Sequence, residues 1–74
     1  MRELVKVERY GFENYYEGIV GNRKVVCILD NNCVRWSVCR KARTIWKQES
    51  RHEYSNSQKA VCFEKATNAL NKLS

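Results

Sequence analysis

The alternation of apolar and polar residues is clearest in the middle of the chain, where it predicts a β-hairpin. Two β-prone runs, residues 24–30 and 33–39, are separated by Asn31 and Asn32. Asparagine tolerates the left-handed backbone that a two-residue hairpin turn requires. Such a turn places six apolar residues opposite one another on one face: Leu29 and Val34, Cys27 and Trp36, Val25 and Val38. A shift of one residue would scatter this set, so turn chemistry and burial favour the same register.

A further strand is predicted before this hairpin, over residues 15–20, followed by a turn at residues 21–23. Its inner face would then carry Tyr16, Gly18 and Val20. A glycine opposite a bulky partner indicates either a bulge or close packing. Residues 4–10 fit an edge strand or a short helical turn, and the pattern does not choose between them.

After the hairpin, a basic turn is predicted at Arg40–Arg43 and another strand at residues 44–48. The length of the turn decides the environment of Trp46. A two-residue turn buries Ile45 and leaves Trp46 on the outer face near Arg35. A three-residue turn instead buries Trp46 against the tryptophan of the central hairpin.

The last third of the chain is predicted to be a helix over residues 56–73. Ser55 and Gln58 fit a capping box, and apolar residues recur at three- and four-residue steps to form one stripe: Cys62, Phe63, Ala66, Leu70 and Leu73. Residues 49–54, which include His52, are expected to form a polar connection. The sequence therefore predicts one α+β domain over residues 1–74, with an antiparallel sheet of three to four strands within residues 4–49 packed on one C-terminal helix.

The distribution of charge adds a functional hypothesis to this fold. The net charge is +6, and all of it arises between Arg23 and Arg51, because the basic and acidic residues outside this segment cancel. Basic residues on a folded β-rich surface attract phosphates. The candidate nucleic-acid-binding residues are Arg23, Lys24, Arg35, Arg40, Lys41, Arg43, Trp46 and Lys47. An exposed Trp46 would offer bases of a single strand a stacking platform, whereas a buried one would leave a surface suited to duplex shape.

Nothing in the sequence predicts an enzyme, a cofactor or a metal site. His52 is the only histidine and has no triad or metal-pair spacing around it. The spacing of Cys27, Cys33 and Cys39, five residues between each, is wrong for a structural zinc site, so reduced thiols are expected. The longest apolar run, five residues, predicts no membrane span, and a start without a signal-peptide pattern indicates an intracellular protein.

Two architectural resemblances accompany the nucleic-acid hypothesis. Residues 57–73 resemble the last helix of double-stranded RNA-binding domains, although the first helix of those domains has no counterpart here. The order of sheet and helix is also similar to that of integrase arm-binding domains, whose three-stranded sheet enters the major groove of DNA. The second resemblance implies DNA-facing roles for Arg35, Trp36 and the Arg40–Arg43 turn. Neither identifies a family.

A second class of function is compatible with the same residues. A small non-enzymatic regulatory or inhibitory protein, of mobile-element or viral type, could dock its basic block on an acidic host protein surface such as that of a nucleic-acid enzyme. Exposed aromatic residues would serve as anchors: Tyr10, Phe12, Tyr15 and Tyr54. An unpaired edge strand could also pair with a second copy of the chain.

Overall fold

The computed structural model describes residues 1–74 as one antiparallel sheet with a helix across one face. Its elements are β1 (Val5–Arg9), β2 (Phe12–Val20), β3 (Arg23–Asp30), β4 (Cys33–Ala42), β5 (Ile45–Tyr54), a 3₁₀ turn (Asn56–Gln58) and α1 (Lys59–Lys72). Each strand pairs with the next one along the chain, in the order β1-β2-β3-β4-β5. The predicted α+β class is confirmed, but the predicted three to four strands was wrong, because the sheet has five.

The additional strand length comes from both edges of the sheet. Residues 5–9 form the edge strand β1, which decides the alternative that the sequence left open. At the other edge, β5 continues to Tyr54, so the prediction of a polar connection over residues 49–54 was wrong. The polar sequence of residues 49–54 suggested a connection, but an edge strand pairs with only one neighbour and leaves most of its side chains in solvent. Residues 50–54 pair with β4 through the backbone, and the ring of His52 also stacks on Trp36 with 4.1 Å between centroids.

The central hairpin has the predicted register. Asn31 and Asn32 form the turn, and Asn32 has the left-handed φ of 67° that asparagine tolerates. The three predicted cross-strand pairs are present: Leu29 with Val34, Cys27 with Trp36, and Val25 with Val38. These residues lie on the face that α1 covers, called here the helix face; the opposite face of the sheet is called the outer face.

The core lies between the helix face and α1. Cys62, Ala66 and Leu70 are the buried residues of the helix, and they pack on the β3–β4 hairpin. Gly18 on β2 allows the close approach of α1, because a Cβ atom at this position would lie 2.5 Å from Cδ2 of Leu70. Close packing, rather than a bulge, is therefore the reason for glycine in the middle of β2.

The start of the helical segment follows the predicted capping pattern in part. The backbone N–H of Ser55 donates to Oε1 of Gln58 at 3.2 Å, and one 3₁₀ turn precedes α1. From the predicted apolar stripe, Phe63 and Leu73 are half-buried beside the three fully buried residues. No helix in the structure combines the length and the apolar composition needed to cross a bilayer.

Side-chain hydrogen bonds hold the two ends of the chain together. The backbone N–H of Arg2 donates to Oδ1 of Asn71 at 2.8 Å, and Nδ2 of Asn71 donates to the Arg2 carbonyl at 3.0 Å. Nε of Arg2 also donates to Oγ of Ser74 at 2.9 Å. Leu4, between this contact and β1, is buried in the core, so the N-terminal residues are fixed to α1.

Candidate nucleic-acid interface

Basic side chains from three strands meet at one end of the sheet. Antiparallel connectivity brings the β2–β3 turn at Gly21 and Asn22 to the same end as the β4–β5 turn at Arg43 and Thr44. The backbone N–H of Lys41 donates to the Asn22 carbonyl at 2.8 Å and joins these two parts of the sheet. We call this the basic end, and its cationic residues are Arg23, Lys24, Arg40, Lys41, Arg43 and Lys47.

The predicted basic turn is mostly strand. β4 extends to Ala42, which stands opposite Ile45, and only Arg43 and Thr44 form the turn. Arg43 adopts a left-handed φ of 60° there. The boundary was wrong because the basic residues suggest a solvated turn, whereas the Lys41 hydrogen bond to the neighbouring turn lets the strand continue.

Three cationic residues stand side by side on the helix face at the basic end, next to the site where Gly18 contacts Leu70. Arg23, Arg40 and Lys47 are direct cross-strand partners on β3, β4 and β5, and we call them the basic row. Neighbouring strands lie about 4.8 Å apart, so like charges in this arrangement repel. Glu49 offsets part of this repulsion, with its Oε1 at 3.3 Å from Nε of Arg23 but without hydrogen-bond geometry.

Trp46 lies on the outer face, in an environment that neither predicted register described. Its cross-strand partner is Lys41. Arg35 stands six residues from Lys41 along β4, which is about 20 Å in a strand, so the predicted proximity of Trp46 and Arg35 was wrong. Ile45 is 56% exposed, so the burial that the two-residue alternative assigned to it was wrong too. Both errors arise because the turn lies farther along the chain than expected.

Two ammonium groups flank the indole ring of Trp46. Nζ of Lys24 lies 4.8 Å and Nζ of Lys41 5.9 Å from the ring centroid, within the range of cation–π attraction. Lys24 is only 9% exposed, and its ammonium group also lies 3.7 Å from Oε2 of Glu17. These contacts hold Trp46 half-buried, with Lys24 beneath the surface and Lys41 in solvent.

Arg35 lies at the other end of the outer face. It lines a shallow concavity of about 220 Å³ whose floor includes Val26 and Ile28. Its cross-strand neighbour Glu53 is paired instead with Arg51 at 3.3 Å. Five cations of the candidate set have no carboxylate within salt-bridge distance: Arg35, Arg40, Lys41, Arg43 and Lys47.

The remaining aromatic candidates differ in exposure. Tyr10 is fully exposed and Phe12 is 37% exposed, whereas Tyr15 and Tyr54 are half-buried. Trp36 lies on the helix face and its Nε1 donates to the Tyr54 hydroxyl at 3.1 Å. This position contradicts the DNA-facing role that the integrase resemblance implies for Trp36.

Sequence reasoning missed the two carboxylates that interact with the basic end. Glu17 on β2 reaches Lys24 on the neighbouring strand β3, whereas Glu49 on β5 reaches Arg23 on β3 across β4. The bulge that brings Glu49 beside Arg23 cannot be read from local sequence. The structure contains no cluster of three or more His, Cys, Asp or Glu side chains able to hold a metal ion.

The site is thus a charged sheet surface with a half-buried tryptophan, and its cations come from separate strands. Its candidate residues fall on two faces that meet at the basic end. Comparisons of the chain with protein-family models, curated proteins and solved structures found no match.

Proposed function

We propose that this protein binds nucleic acid through the basic end and the adjoining outer face of its sheet. The basic row carries the proposal. Arg40 and Lys47 are exposed cross-strand neighbours with no carboxylate partner. Like charges placed opposite each other in a sheet lower its stability, and a bound polyanion would remove that cost. Phosphates neutralised by such cations release counterions, which supplies binding free energy.

Trp46 favours single-stranded or looped nucleic acid over a regular duplex. Bases stack on aromatic rings only when they are free of a duplex, and stacking of this kind does not depend on the base. The adjacent Lys41 is exposed and can contact a phosphate beside a stacked base. Arg35, about 20 Å along β4 on the same face, provides a second cation for a strand that follows the sheet.

The experiment is a fluorescence-anisotropy titration with single-stranded and duplex DNA and RNA of equal length, each at several salt concentrations. We expect a Kd below about 10⁻⁶ M at physiological salt, the tight end of non-specific binding, and a preference for single strands. Trp46→Leu should weaken binding to single strands by roughly 5- to 150-fold, the usual value of one stacked base.

Tyr10→Leu provides the matched control, because Tyr10 is a fully exposed aromatic residue in the turn at the opposite end of the sheet. It should leave affinity unchanged. Weak binding that ignores the form of the nucleic acid, together with no effect of Trp46→Leu, would contradict the proposal. That result would direct attention to the second class of function, docking of the basic end on an acidic protein.

A further inference from the structure

The two edges of the sheet differ in how well they can accept another strand. β5 contains a bulge in its own backbone, since Ser50 stands opposite Val38 but Gln48 opposite Cys39, leaving Glu49 unpaired in the register. A bulge twists an edge and hinders further pairing. In the β1–β2 pair the extra residue is on β2, where Glu13 and Asn14 stand opposite Glu8 alone. β1 therefore presents a regular, unpaired edge.

The bulge on β2 is stabilised by a side chain of β3 rather than by β1. The backbone N–H groups of Glu13 and Asn14 donate to the carboxylate of Asp30 at 3.1 and 2.7 Å. On β1, the one side-chain contact to the backbone is that of Arg9, whose Nη1 donates to the Glu8 carbonyl at 3.2 Å. The Arg9 side chain is 46% exposed and its Nη2 lies 3.4 Å from Oε1 of Glu17, so Nη1 can release the Glu8 carbonyl while this ion pair persists, and β1 is then open to a partner strand.

Charge also favours this edge for contact between identical chains. Residues 1–22 contain three basic and four acidic residues, so two copies that meet there do not repel strongly. The β5 edge belongs to the segment that carries the whole +6 charge of the chain. An approach through β5 would therefore bring two positively charged segments into contact.

We infer that two copies of this chain pair through β1 in antiparallel orientation, centred on Val7, to form one ten-stranded sheet. In this register Lys6 of each copy stands opposite Glu8 of the other, and Val7 stands opposite its own equivalent. Centring on Lys6 or on Glu8 would instead place two like charges directly opposite each other, which is unfavourable. The two-fold symmetry of an antiparallel pair thus selects the Val7 register.

The symmetry axis of such a pair is perpendicular to the sheet. Both outer faces then lie on one side of the dimer and both α1 helices on the other. A contact of five residues per strand is smaller than a standard protein interface, so association should be weak and reversible. The inference is independent of the proposed function of the basic end.

The inference is tested by sedimentation velocity over about 10 μM to 1 mM protein, a range suited to weak association. The dimerisation constant of the native chain is compared with that of variants in which the charges at Lys6 and Glu8 are reversed singly and together. Lys6 and Glu8 are both exposed, and neither forms a salt bridge, so substitution leaves the fold intact. Lys6→Glu alone places glutamates opposite each other at two symmetric positions and should weaken dimerisation at least about five-fold. Glu8→Lys alone should do the same with lysines.

The double variant, Lys6→Glu with Glu8→Lys, restores opposite charges in the same register and should recover the original dimerisation constant. A native chain that remains monomeric at the highest concentration overturns the inference. So does a double variant that dimerises no better than either single variant, because the proposed register requires recovery. Association that is instead abolished by changes on β5 would place the contact at the other edge.

Discussion

Removal of two neighbouring charges from the basic row should weaken nucleic-acid binding while it stabilises the fold. Arg40→Gln with Lys47→Gln eliminates both exposed members of the row and leaves Arg23 with its partner Glu49. Each phosphate contact changes the slope of log K against log salt by about 0.7 for single strands. Loss of two contacts should therefore lower the slope by about 1.4, which corresponds to about a 25-fold weaker affinity at 0.1 M salt.

The same variant should unfold at a higher temperature. The native chain places Arg40 between two like-charged partners, Arg23 and Lys47. Relief of this repulsion is worth roughly 0.5 kcal/mol, within the usual range for cross-strand pairs. For a chain of this size, such a gain raises Tm by about 2–4 °C. Few structural roles would combine greater stability with weaker binding, so the two measurements together identify a surface kept for a ligand.

Lys65→Gln with Lys72→Gln is the matched control, because it removes the same charge from exposed positions on α1. It should reduce affinity only slightly and leave the salt slope unchanged. The reasoning is refuted if the control and the basic-row variant lose affinity equally, since net charge alone would then explain binding. An unchanged salt slope in the basic-row variant would refute it as well.

Three further predictions concern the fold. Gly18→Ala should lower the free energy of unfolding by about 1–3 kcal/mol in urea titrations, because the new methyl group meets Leu70. If the stability losses of Gly18→Ala and Leu70→Ala simply add in the double variant, that would argue against this contact. Tyr54→Phe removes the acceptor for Trp36 Nε1 and should cost about 0.5–1.5 kcal/mol, whereas Tyr10→Phe should cost nothing. Burial is the main cause, and the neighbouring Cys62 the second, of a raised pKa of the Cys27 thiol. The free energy of unfolding should therefore stay constant below the ordinary thiol pKa of about 8.5. Above that pH it should fall, because this thiol ionises only in the unfolded chain. Urea midpoints between pH 7 and 10 should fall less steeply for Cys27→Ala; equal slopes would show that this thiol does not contribute.

The centre of the fold could be predicted from sequence because several local signals coincide there. The Asn31–Asn32 turn, the alternation of apolar residues and the stripe on α1 all require the same sheet face to be buried. A wrong register for this hairpin would expose Val25 and Cys27, both of which are fully buried. Agreement among independent signals therefore identifies an element more reliably than the strength of any one signal.

The edges could not be predicted in the same way. β5 carries seven polar or charged residues among its ten, and its pairing with β4 comes from backbone groups that every sequence has. The environment of Trp46 depended on whether the turn lies at residues 40–43 or at Arg43 and Thr44. Non-local backbone contacts decide this: the pairing of β4 with β5 up to Ala42 and Ile45, and the hydrogen bond from Lys41 to the Asn22 carbonyl. For the candidate site, the sequence placed Arg35 on the outer face but did not predict the row of Arg23, Arg40 and Lys47 on the helix face.

The Asn71 contact makes the chain nearly a closed ring. Its amide bonds both polar backbone groups of Arg2, as a neighbouring strand would, and every strand in between pairs with its neighbour along the chain. Residues 2 and 74 therefore lie side by side in the fold. A short peptide bridging residues 1 and 74 would permit a circularly permuted chain that begins at Asn32, with the sheet, α1 and the basic end all retained.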